Sequence, residues 1–139
     1  MDNEKIVVWE FKYWVLLIHP NQNYLGRVYA WPRREIFQPT ENDSAEWAEL
    51  LEIFQLVKIA LDNLFSPKMY NWVSHNNSTK ICHWHIIPRH EKPAEFFGNT
   101  IPDMEFGRVH NFSRKVMVTR EFRTKLAGAI ANEIKKLKA

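Results

Sequence analysis

At 139 residues the chain has the length of one domain, and with 45% hydrophobic and 25% charged side chains it is neither a disordered tail nor a low-complexity scaffold. Nineteen basic against sixteen acidic side chains leave a net charge of +3, which suits an anionic small molecule and is too weak to point to nucleic acid. The one cysteine, Cys82, excludes an intrachain disulfide and a four-cysteine zinc cage, and fits a reducing compartment. The longest apolar run near the start, residues 13–18, is far short of the roughly 20 residues that span a bilayer. Asp2, Glu4, Glu10 and Lys12 deny the segment the apolar core of a signal peptide. The expectation is a cytoplasmic, soluble protein whose residues 1–139 form a single domain with no membrane contact.

In chain order, residues 6–9 and Trp14–Ile18 are short β-branched and aromatic runs that predict buried strands. Residues 19–26 (His-Pro-Asn-Gln-Asn-Tyr-Leu-Gly) carry turn chemistry, and residues 28–31 predict a return strand halted by Pro32, so an antiparallel hairpin is expected. Residues 43–65 predict the clearest helix, with Asp43 as N-cap, Glu46 closing a capping box and Pro67 ending it. Trp47, Leu50, Leu51, Phe54, Val57, Leu61 and Leu64 recur at three- and four-residue steps and predict the stripe that faces the sheet. Met69–Val73 and residues 81–87 predict two further strands around a polar loop, 74–80, while residues 91–113 are expected to be irregular. A last helix is expected from after Thr119 to about Leu137, with Phe122, Leu126, Ile130 and Ile134 on one face and Lys135, Lys136 and Lys138 complementing its dipole. The order of elements predicts an α+β fold with an antiparallel sheet and two main helices.

Chemistry concentrates in residues 81–90. On a strand, His83 and His85 share one face with Ile81 and Ile87, while Cys82, Trp84 and Ile86 point to the other, toward the core or a helix. Two imidazoles side by side on a strand fit a solvated face, a polar pocket or a pair of metal ligands completed by His75, His90 or Glu35. Against the metal, no third ligand stands at a typical spacing and the Pro88-Arg89 continuation has no role there. No metal or cofactor is expected.

The run Ile81-Cys82-His83-Trp84-His85-Ile86-Ile87-Pro88-Arg89 resembles the histidine triad family, whose motif is His-φ-His-φ-His-φ-φ (φ apolar) and runs on into Pro-Arg in many bacterial members. The resemblance covers roughly residues 14–107. Leu25-Gly26-Arg27-Val28-Tyr29 with Pro32-Arg33-Arg34 looks like the family's glycine turn, strand and basic corner. Tyr70-Asn71-Trp72 and Asn76-Asn77 match the strand and loop before the motif, and Phe97-Gly98, Pro102-Asp103 and Phe106-Gly107 resemble the tail of bacterial members. Two positions depart: Ile81 replaces the first motif histidine, and Glu35 stands where a histidine commonly follows the basic corner.

The resemblance implies a HIT-like fold and a nucleotide substrate. His83 falls on the family's nucleophile, which attacks an α-phosphorus to form a nucleotidyl-imidazole that water or another acceptor resolves. The substrate classes implied are dinucleoside polyphosphates and nucleoside phosphoramidates, and the oligomer implied is a homodimer with joined sheets. A histidine near its ordinary pKa of about 6.5 is largely neutral and nucleophilic at pH 7, provided its other nitrogen is fixed by a hydrogen bond; a backbone carbonyl can supply that whatever side chain occupies position 81. His85 is expected at a phosphate oxygen or the leaving group. Asn77, Ser78 and Thr79 offer donors to phosphate, and Arg27 either counters its charge or lies solvated. Arg89 is expected in a structural ion pair or at the ligand, and Asn71 at the ligand or satisfying backbone groups. Leu17 and Ile18 are expected against the nucleoside, and His19 near the ribose hydroxyls or exposed in its turn. The alternative to an enzyme is a nucleotide-binding protein whose catalysis has eroded with the two missing histidines, and a metal-binding strand is the third reading.

Overall fold

The computed structural model describes residues 5–139; Asp2 and Glu4, which entered the signal-peptide argument, lie outside them. The helix predicted over 43–65 forms as α1, Ser44–Phe65, with Asp43 outside it as N-cap: its carboxylate accepts the Glu46 N–H while the Glu46 carboxylate accepts the Asp43 N–H, both at 2.8 Å. Ser66, at φ 49°, ends the helix in the left-handed conformation just before Pro67. The buried side of α1 differs from the predicted stripe. Leu50, Ile53, Val57, Ala60 and Leu61 are buried, whereas Trp47 and Leu51 are 40% and 57% exposed. Apolar residues surround most of this helix, so their spacing does not by itself select the inward side.

Strands β1 (Val7–Glu10), β2 (Trp14–Ile18), β3 (Val28–Pro32), β4 (Met69–Val73) and β5 (Trp84–Arg89) form one antiparallel sheet in the order β1-β2-β3-β5-β4. The first strand lies one residue later than the predicted 6–9, and a bulge interrupts its pairing between Val7 and Trp9. Pro32 does not stop β3 but closes it, opposite Trp14. The strand predicted at 81–87 starts only at Trp84: the Cys82 N–H is taken by the Ile36 carbonyl at 2.6 Å, which ties residues 81–83 to the corner after β3.

Register gives the sheet two unlike faces. Leu16, Ile18, Val28, Ala30 and Ile86 pack with α1 and with α2 (Arg120–Lys138), whose Phe122, Leu126, Ile130 and Ile134 are all buried as expected. On the opposite, helix-free face, Leu17, Tyr29, His85 and Val73 lie in register across four strands. Thr119 caps α2, accepting the Phe122 N–H. The stretch expected to be irregular holds a short hairpin, β6 (Ala94–Phe96) and β7 (Asn99–Ile101), turned by Phe97 and Gly98 at φ 48° and 78°. No helix among the described residues is long and apolar enough to cross a membrane.

The loop between β2 and β3 anchors the segment after β7. Gln22 bonds the His19 and Arg27 carbonyls and the Gly26 N–H, closing the loop on itself. Gly26 has φ 98° and leaves no room for a side chain, since a Cβ there would stand 3.0 Å from Leu61. Asn21 holds the Arg114 carbonyl and the Val116 N–H; Asn23 holds the Asn111 carbonyl, and the Tyr24 hydroxyl meets Glu105 and the Asn111 N–H. Residues 105–116 are thereby strapped along the helix-free face.

Candidate active site

His83 sits one residue before β5, with its ring 4.9 Å from that of His85 and 5.1 Å from Trp31. Its Nδ1 is 2.8 Å from the Ile81 carbonyl. A carbonyl oxygen only accepts, so Nδ1 carries the hydrogen and a neutral His83 has its lone pair on Nε2. Position 81 thus supplies the orienting group through its backbone.

His85 is buried on the helix-free face, among His19 at 5.5 Å, His83 and Phe112 at 5.2 Å. Burial, reinforced by Arg27 and by the neighbouring histidines, pulls its pKa down to about 2, and its Nδ1 has no hydrogen-bond partner. His19 is held at about 3, again by burial first and Arg27 second; its Nδ1 accepts the Asn21 N–H. Both rings are therefore neutral at pH 7.

Before the two motif histidines lies a recess of about 320 Å³. The loop residues Asn76, Asn77, Ser78 and Thr79 line it, together with His75, Val109, His110 and Phe112. No carboxylate among the described residues lines it. The structure thus brings His83, His85, Asn77, Ser78 and Thr79 around one cavity large enough for a phosphate group.

Other expected residues lie elsewhere. Arg27 is neither solvated nor on the recess wall: it is 2% exposed, bonded to Asn23 Oδ1 at 3.0 Å and stacked 4.3 Å from the Phe112 ring. Among the described residues its Nε lacks a partner and no carboxylate pairs with it; burial lowers its pKa to about 10, which leaves it a cation at neutral pH. Ile18, expected against a nucleoside, points into the helix-side core, and Leu17 is on the helix-free face but 4% exposed. Arg89 grips both Asp103 oxygens at 2.8 and 3.1 Å and the Asn71 side-chain oxygen at 2.9 Å, an ion pair with both partners buried. Arg89 and Asn71 line a separate groove along β4 that meets the recess only at Val109 and His110. His90 is buried and bonded to the Leu25 carbonyl, Glu35 is exposed, and no group of three metal-ligating side chains converges among the described residues.

Sequence reasoning gave no site role to Trp31, His110 or Phe112, and considered His75 as a possible metal ligand. Trp31 carried a signal, the two-residue alternation Tyr29, Trp31 on one face of β3. His110 and Phe112 carried none, because their position depends on the distant Asn21, Asn23 and Tyr24 contacts.

By sequence, neither a family model nor a curated protein matches the chain. By structure it is similar to a histidine triad nucleotide-binding protein of Sulfolobus tokodaii (TM-score 0.73, 21% identity, 97% of this chain and 87% of that one). It is also similar to a histidine triad protein of Marinobacter aquaeolei (TM-score 0.75, 18% identity, 96% and 90%) and to a Zn-bound family protein of Mycobacterium smegmatis (TM-score 0.66, 12% identity, 99% and 88%). The chain therefore has the histidine triad fold over nearly its whole length.

Proposed function

We propose that the chain is a histidine triad nucleotide hydrolase or nucleotidyl transferase that acts on a nucleoside polyphosphate or phosphoramidate through His83. The observation that carries this reading is the Nδ1–H bond from His83 to the Ile81 carbonyl, which leaves a nucleophilic Nε2 beside an acid-free recess.

In the first step the Nε2 lone pair forms a bond to the α-phosphorus while the bond from phosphorus to the leaving group breaks; its electron pair goes with the leaving group, which departs as a phosphate anion or, for an amine, takes up a proton from solvent. The nucleotidyl-imidazole carries positive charge as long as Nδ1 keeps its hydrogen, and the Ile81 carbonyl dipole faces that charge. In the second step water attacks phosphorus, releases its proton to solvent, and the P–N bond pair returns to Nε2, restoring neutral His83. His85, held neutral, serves as a hydrogen-bond donor to a phosphoryl oxygen rather than as an acid. Asn77, Ser78 and Thr79 offer further donors. The nucleoside has an aromatic platform in Trp31, whose ring lies 31° from the His83 plane.

We also propose a homodimer. Strand β4 is an unpaired sheet edge, and beside it Trp47, Leu51 and Trp72 are exposed around Phe54, whose ring is 4.9 Å from Trp72. Trp47 and Leu51 are the apolar residues of α1 that stay outside the core beside this edge.

His83→Ala tests the enzyme reading. Turnover of a dinucleoside polyphosphate and of an adenosine phosphoramidate should fall at least about 10³-fold while nucleotide still binds. An active variant removes the mechanism; wild-type binding without turnover would establish a binding protein instead.

A further inference from the structure

Four histidines line the recess, and the chemistry above uses only His83 and His85. The other two arrive from separate segments, His75 from the loop after β4 and His110 from the strap after β7. Their Nε2 atoms stand 3.4 Å apart and their ring centroids 5.6 Å apart. Two imidazoles alone do not complete a metal site, and no group of three metal-ligating side chains converges among the described residues. At most one hydrogen lies between the nitrogens, and 3.4 Å is beyond the roughly 2.7–3.2 Å of a well-made hydrogen bond. The contact is weak and easily parted.

An anion's oxygen set between the rings would accept an N–H from each. At about 2.8 Å from both donors it parts the nitrogens by about another 1 Å, a small motion for an exposed loop histidine. Neutral imidazoles suffice, each in its Nε2–H tautomer. The surroundings favour negative charge. His110 stacks on Phe112 at 4.3 Å, and Phe112 stacks on the buried, carboxylate-free Arg27. The adjoining groove is lined by Arg89 and Arg108. No carboxylate among the described residues lines the recess, and Asp103 and Glu105, on the segment leading to His110, are engaged by Arg89 and by Arg114 and the Tyr24 hydroxyl. An ammonium in this position would meet no acceptor carboxylate.

Resting on the reading of His83 given above, we infer that His75 and His110 form an anion subsite for a phosphate beyond the α-phosphate, so that the substrate is a nucleoside or dinucleoside polyphosphate rather than the phosphoramidate of an amine. The pair is a specificity device outside the motif strand.

Inorganic pyrophosphate is the probe, titrated into the full chain while the histidine ring resonances are followed by NMR. The His75 and His110 signals should move, and the double variant His75→Ala/His110→Ala should bind pyrophosphate at least tenfold more weakly. His110→Phe, which keeps the stack on Phe112 and removes the N–H, should share the loss and guards against a folding artefact. In turnover, the ratio of kcat/KM for diadenosine polyphosphate to that for adenosine phosphoramidate should fall at least tenfold in the double variant. Unmoved resonances, undiminished pyrophosphate binding or an unchanged ratio would overturn the inference. The two readings fail separately: AMP that does not perturb His83 in the wild type sinks the nucleotidyl mechanism while pyrophosphate still decides the subsite.

Discussion

His83 and His85 are two residues apart, yet the group that each Nδ1 meets gives them different work. His83 has a carbonyl partner on Nδ1 and lines the recess; His85 has an unpartnered Nδ1 and a pKa held down to about 2 by burial. That burial predicts acid sensitivity. Below about pH 6.5 the unfolded chain takes up protons that folded His85 and His19 refuse until about pH 2 and 3, so stability falls as pH falls through that window. The slope is up to about 1.4 kcal/mol per pH unit for each histidine. The wild-type Tm should drop between pH 6.5 and 4.5, and the slope should be shallower in His85→Asn; parallel slopes would show that His85 does not titrate across folding. Ile81→His should change the rate by less than about tenfold, since the orienting group is the backbone carbonyl, and a larger gain in kcat would show that the side chain had been limiting. At this scale the sequence brought His83 and the loop 77–79 together through the motif spacing, and the structure has them lining one recess, their roles resting on the proposal above. The sequence misled at Ile18, whose inward face only the strand register decides, and at Arg27, whose burial under Phe112 no local pattern announces.

Among the elements, the strap over residues 105–116 decides whether there is a recess at all. Asn21, Asn23 and Tyr24 hold it from one side, and the Arg89–Asp103 pair fixes its root to the end of β5. Asp103→Ala leaves a buried guanidinium uncompensated and should cost about 3–5 kcal/mol in denaturant unfolding. A loss below about 1 kcal/mol would mean that the pair does not anchor the strap. α1 and α2 were legible because capping residues and long periodicity agree. The start of β5 was not, because the Cys82–Ile36 bond that delays it joins residues 46 apart in the chain. The β6–β7 hairpin escaped because three-residue strands carry no period, and its Phe97-Gly98 turn reads equally as a break.

In the whole molecule, one sheet face is consumed by two helices, and the other bears His85 and backs the recess. The sheet ends in β4, beside an apolar patch that faces outward. If two copies join there, analytical ultracentrifugation at micromolar concentration should give about twice the 16.6 kDa monomer mass, and Trp72→Asp should return it to the monomer. A monomeric wild type removes the dimer and leaves the active-site proposal standing, since His83, His85 and the loop 77–79 lie together within one chain. The central claim is more directly exposed by mixing the protein with labelled diadenosine polyphosphate, quenching in alkali and mapping the adduct by mass spectrometry. A nucleotidyl group on the peptide containing His83, absent in His83→Ala, is the predicted result. Product formed at full rate with no adduct on His83 at any time point would contradict it.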